Sequence, residues 1–242
     1  MRPAWPERIY KTACKIHLKR YSPAMLHTYS KILKRELRLY FRQSRDIANA
    51  VLFFLLIAII FPFGIGSEVE ILREIGVGVI WVAAVFSSMF GINSIFQEDY
   101  DDGTLNQYLT LPFALEIITL AKITANWIAY SLPIVILAPF IASMYDISFF
   151  DGLLISVALL FATPIFVMIG AVAAAISLGA KKKRIMLSLL VMPLYIPVLI
   201  YGTASSKAYV DAAAMSSSLI IIIGFMLFLI PISSIAGSRA IR

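Results

Sequence analysis

The sequence predicts an all-α membrane protein: six transmembrane helices, an N-terminal amphipathic helix, and a short helix between spans two and three. Three observations lead there. Hydrophobic residues make up 60% of the chain and charged residues 14%, with a mean hydropathy of +0.87, outside the range of soluble domains. Apolar runs of roughly 18 or more residues recur, long enough to cross a bilayer core of about 30 Å. Of 21 Lys and Arg, 12 precede residue 46, and such an imbalance is a topology signal before it is a nucleic-acid signal. The single Cys14 excludes an internal disulfide framework and a four-cysteine metal site.

Residues 1–30 are basic with one acid, Glu7, and no long apolar run, so they do not read as a secretory signal peptide. Pro3 and Pro6 spoil the helix that a transit peptide needs. Two readings stay open: a basic N-terminal extension, or translation that begins at Met25. From Lys31 to Ser44 the pattern becomes helical. Ile32, Leu33, Leu37, Tyr40 and Phe41 line one side, and Lys34, Arg35, Arg38, Arg42 and Arg45 cover the other. A basic amphipathic helix that feeds into a span suits an anionic cytoplasmic leaflet, or simply anchors the first span.

The spans follow in order at about 47–66, 75–96, 116–144, 149–179, 185–202 and 215–237. The first ends in FPFGIG, where Pro62, Gly64 and Gly66 loosen the helix. The fourth is long enough to need tilt or a bend at Pro164. Pro193 and Pro197 interrupt the fifth, with Tyr195 between them, and predict a broken helix with a place in gating or a simple kink. Trp81 is expected near the outer interface, in an aromatic belt.

Between spans two and three lies QEDYDDGTLNQYLTLP, residues 97–112. Four of the five residues from Glu98 to Asp102 are acids, which suits the positive end of a following helix. Gly103 provides a turn, Thr104–Leu111 two helical turns, and Pro112 the stop. Leu105 and Leu109 share a face with Tyr108 beside them, so something apolar should cover it.

Six spans place both termini on one side. With that side cytoplasmic, it holds the 12 N-terminal cations, Lys181–Arg184, Arg239 and Arg242, and the outer loops hold Arg73 and Lys207. The positive-inside rule therefore orients the chain and puts residues 97–112 in the cytoplasm. An anionic leaflet repels their acids, which favours docking into a soluble protein over lying on lipid.

Catalytic signatures are missing. No G-x-x-x-x-G-K-[ST], H-E-x-x-H or G-x-S-x-G occurs, so the chain is not expected to be an enzyme or to hydrolyse nucleotide by that route. His17 and His27 both precede the first span, which leaves no membrane histidine for haem. Lys122 is the one cation well inside a span, close enough to the cytoplasmic end for its stem to snorkel outward. Asp151, near the outer end of the fourth span, needs no special role.

The basic lead-in helix, the six spans and the acidic-Gly-Thr-Leu-x-Gln helix resemble permease subunits of short, six-helix ABC exporters. Finer motifs narrow the resemblance to the cytochrome c maturation permeases of the CcmB, or haem exporter protein B, family. They are KRELRLYFRQ (34–43), FPFGIG (61–66), GVIWVAA (78–84), FQEDYDDGTLNQYLTLP (96–112), LAK (120–122) and PLYIPVLIYG (193–202). The match covers the chain from about Lys31 onward, and residues 1–24 have no counterpart in the family pattern.

The resemblance implies a multi-pass subunit of a bacterial inner membrane, with both termini cytoplasmic and a second copy of itself beside it. It implies a separate ATPase, CcmA, together with CcmC, CcmD and the haem chaperone CcmE. ATP would bind the partner, no cofactor would bind this chain directly, and haem would be cargo or reach the chaperone that ATP hydrolysis releases. The short helix would be the coupling helix. Asp102, Gly103 and Thr104 would shape its start, Gln107 belongs to its motif, and Leu105, Tyr108 and Leu109 would bury against the ATPase. Trp81, Pro193, Tyr195 and Pro197 are candidates for gating or a substrate path. Two rival readings are an ABC permease for a lipid or drug, and a nucleotide-independent carrier or membrane enzyme.

Overall fold

In a computed structural model, the described residues are 26–66, 68–92, 94–110, 115–178, 181–206 and 212–241. Residues 1–25 of the N-terminal extension, Leu111 and Pro112 lie outside them, as do the side chains of Leu109 and of residues 181–190. The described chain is helical throughout, without a strand. Its helices are α1 (residues 26–42), α2 (Ser44–Ile65), α3 (Val69–Ser88), α4 (Ser94–Asp101) and α5 (Thr104–Thr110). They continue as α6 (Leu115–Asn126), α7 (Leu132–Met144), α8 (Phe149–Ile176), α9 (Lys181–Ser206) and α10 (Ala212–Ile241). Four segments are long and apolar enough to cross a membrane: Ser44–Ile65, Leu115–Met144, Phe149–Ile176 and Ser217–Ile241. Two further long helices complete the bundle. α3 opens with Glu70, Arg73 and Glu74 before its apolar part, and in α9 the apolar stretch is the shorter Val191–Ser206.

Helix α8 is the central post, packed against α7, α9, α10 and α3. Its buried residues include Ala158, Ala162, Gly170, Ala171, Ala174 and Ala175. Lipid supplies no hydrophobic drive between spans, so small residues gain packing by letting backbones approach closely. α2 and α10 pack one face on this core and turn Leu52, Leu56, Ile60, Ile220, Leu227 and Phe228 outward, as lipid-facing helices should.

Proline placement explains several long-range contacts. Pro62 has no N–H to offer the carbonyl of Ala58, and the Tyr145 hydroxyl donates to that oxygen instead at 2.6 Å. Pro133 likewise cannot donate within the third span, and the turn before it, Trp127–Ser131, widens to π-helix between α6 and α7. At the start of α8, Ser148 Oγ accepts from the Asp151 N–H at 3.1 Å and donates to the Asp151 carboxylate at 2.9 Å. Asp151 therefore serves as a helix-cap partner.

Three sequence expectations need correcting. The second span does not run to Phe96: α3 ends at Ser88 and the chain turns through Met89–Ile92. Gly91 makes that turn possible, since a Cβ there would lie 2.3 Å from the Tyr130 ring, and its carbonyl accepts from Asn126 Nδ2 at 2.7 Å. α9 is not broken either. It runs helical through Pro193 and Pro197, both exposed on one face. Trp81 is not in an interfacial belt: it is fully buried, and its indole N–H donates to Ser206 Oγ at 2.9 Å. A buried indole needs such a partner, and the far end of α9 supplies one.

Candidate functional site: an ion cluster beneath a helix–turn–helix unit

The acidic stretch folds as a unit of two short helices. On α4, Ile95, Phe96 and Asp99 fall on one buried face, and Glu98, Tyr100 and Asp101 point outward. Gln97 Nε2 donates to Asp101 Oδ1 at 2.8 Å, an i, i+4 pair that supports the helix. Gly103 turns the chain at φ +78°, a conformation that glycine adopts at no steric cost. Asp102 Oδ1 accepts from the Thr104 N–H at 2.8 Å and so caps the start of α5.

That backbone hydrogen bond holds the Asp102 carboxyl below its usual value. A lowered native pKa gives stability that is present above the unfolded carboxylate value and lost as pH falls through the native one. Hydrogen-exchange protection across residues 104–108, corrected for intrinsic rates, should therefore fall on acidification in the native protein. With Asp102→Ala it should be lower at neutral pH and lose that acid dependence.

Leu105, 6% exposed, packs inside its own chain in a cluster with Ile92, Ile95, Phe96, Ile123 and Val167. The apolar cover expected for this face of α5 is thus largely intramolecular. Tyr108 is half-buried, and its hydroxyl accepts from Arg35 Nη1 on α1, whose guanidinium carbon lies 6.0 Å from the ring centroid. Burial and then the nearby Asp99 charge push the phenol above its usual pKa. Asn106 and Gln107 face outward.

Helix α1 presents Leu33, Leu37 and Tyr40 inward, Tyr40 packing edge-on to Tyr130 at 5.6 Å, while Phe41 faces out. Its inward face also carries a charge. Glu36, 4% exposed, accepts from Arg35 Nη1 on Oε1 at 2.7 Å and from Lys122 Nζ on Oε2 at 2.9 Å. Lys122, 3% exposed, also ion-pairs with Asp99 Oδ2, and Arg35 Nη2 lies 3.5 Å from Asp99 Oδ1. Two cations and two carboxylates thus balance in one set that joins α1, α4 and α6, with Glu36, Asp99 and Lys122 buried and Arg35 at its partly exposed edge, and Tyr108 extends it to α5. Burial acts against the Arg35 charge, and its Tyr108, Glu36 and Asp99 neighbours outweigh that and raise its pKa.

This arrangement overturns the snorkelling expectation for Lys122. The ammonium turns inward because α1 and α4 bring Glu36 and Asp99 into contact with it, and a paired charge avoids the cost of a lone buried one. Sequence reasoning missed Glu36 and Asp99 as buried partners. One signal was available: Glu36 is the sole acid in the basic stretch from Lys31 to Arg45.

Of the other candidates, Tyr195 is buried and donates to the Phe166 carbonyl at 2.9 Å, with the two rings 4.9 Å apart. Pro193 and Tyr195 line an apolar surface groove between α3 and α9 with Val82, Phe86 and Met192. The structure therefore keeps Trp81, Pro193 and Tyr195 in the α3–α9 region and puts Pro197 at a groove between α9 and α10, all apart from the ion cluster. Among the described residues no group of three or more His, Cys, Asp or Glu could hold a metal.

The fold and site define a multi-pass helical membrane protein with an exposed helix–turn–helix unit ion-latched to its spans. The chain belongs to the CcmB protein family, whose model matches residues 27–242. It is 34% identical over 196 residues to "Heme exporter protein B" of Pseudomonas aeruginosa, covering 81% of this chain and 88% of that protein. The protein of the same name from Haemophilus influenzae is 33% identical over 214 residues, covering 88% and 97%. That from Escherichia coli K12 is 37% identical over 185 residues, covering 76% and 82%.

Proposed function

We propose that this chain is the transmembrane permease subunit of an ABC-type haem-export assembly in cytochrome c maturation. It couples ATP hydrolysis by a separate CcmA-type ATPase to haem export or to release of the haem-loaded chaperone. The observation that carries this reading is α5 itself: a capped helix, exposed on its outer face, latched by Tyr108 to the bundle behind it. The names of the relatives support haem as the cargo.

In this reading both termini and α5 are cytoplasmic in a bacterial inner membrane, and a second copy gives each ATPase subunit its own coupling helix. CcmC, CcmD and the chaperone CcmE complete the assembly. Asp102, Gly103 and Thr104 set the start of α5, and Asn106 and Gln107 form its docking side. Leu105 and Tyr108 hold the helix to the permease. Affinity-tagged protein extracted in mild detergent should bring down the CcmA-type ATPase, and deletion of the gene should abolish c-type cytochromes. Retention of c-type cytochromes in the deletion strain would reject the haem-maturation role, and a tagged copy that binds no ATPase would reject the permease role.

A further inference from the structure

We propose that Arg35, Glu36, Asp99 and Lys122 are positioning residues that carry a displacement of α5 into the third membrane segment; this rests on the coupling role proposed above. The path is continuous. Tyr108 of α5 is held by Arg35 of α1, Arg35 touches Glu36 and Asp99, and both carboxylates grip Lys122. Lys122 sits on α6, within the membrane segment Leu115–Met144.

Two physical features make this set a link and not only a fastening. Apolar contacts such as those of Leu105 slide at small cost, whereas separating the buried Lys122, Glu36 and Asp99 charges leaves each unpaired in low dielectric. The elements that share the charges therefore move together. The segment they pull on also has a built-in place to yield: the π-helical turn Trp127–Ser131 begins about one and a half helical turns beyond Lys122. Asn126 and Tyr130, at and within that turn, touch Gly91 in the bend that leads into α4. Movement of the α4–α5 unit therefore reaches the π turn by two routes, Lys122 and Gly91. On this account α1 belongs to the moving body and is more than an anchor.

The test uses the reconstituted complex of permease and ATPase subunit, with three readouts: melting temperature, ATPase retained on the tagged permease, and stimulated hydrolysis over the ATPase alone. Asp99→Asn leaves a surplus positive charge and should lower the melting temperature. Adding Arg35→Gln restores the charge balance but removes the donor to Tyr108. The double variant should regain melting temperature and retain the ATPase, yet lose stimulation at least tenfold. Arg35→Lys keeps every charge but lacks the planar fork that reaches Tyr108 and Asp99 together, so it should show the same split if the double variant does not fold. Recovery of stimulation together with stability in the double variant, or full stimulation by Arg35→Lys, would overturn the proposal. A native permease that retains no ATPase would instead remove the coupling role itself, and this inference with it.

Discussion

Lys122→Met should destabilise the protein by about 3–5 kcal/mol, because it leaves two buried carboxylates facing one cation. Arg35 cannot take over: its side chain is 40% exposed and already spans Tyr108, Glu36 and Asp99. Methionine fills the volume of the lysine stem, so the loss reports charge and not a cavity. Lys34→Met, on the exposed face of the same α1 that carries Glu36, should change stability by no more than about 0.5 kcal/mol. Thermal melts of the two variants in one detergent compare them directly. A snorkelling lysine would make them alike, and equal melting temperatures would contradict the buried cluster.

The largest effect on activity is expected at the outward side of α5. Asn106→Arg with Gln107→Arg should abolish stimulated ATP hydrolysis and ATPase retention, while the permease still inserts. Both side chains face outward, so the change alters what a partner meets and leaves the permease core intact. Leu105→Asp makes the informative contrast. Leu105 is packed among Ile92, Ile95, Phe96 and Ile123, and a carboxylate there has no partner, so its defect should appear as a lowered melting temperature before any coupling defect. If the Arg double variant binds and stimulates the ATPase normally, the docking side lies elsewhere.

Much of this architecture was legible from residue order. Apolar runs located the long helices other than α3 to within a few residues, and the glycine and acids of residues 98–103 marked the start of α5 correctly. Where the reading slipped, a neighbour distant in sequence had decided the outcome. The end of α3 depends on Tyr130 and Asn126 closing on Gly91. Trp81 went inward because Ser206, 125 residues away, accepts its N–H. The two prolines of α9 predict a broken or kinked helix, and the structure keeps α9 helical through both.

Local pattern therefore suffices for the class and for the order of the helices, because hydropathy acts on each segment separately. It does not say which charges are matched inside. Glu36 and Lys122 stand 86 residues apart, and each taken alone reads as an ordinary residue at a membrane edge. Only when α1, α4 and α6 converge does burial become affordable for any of them, since a charge can leave water cheaply only in the company of its opposite.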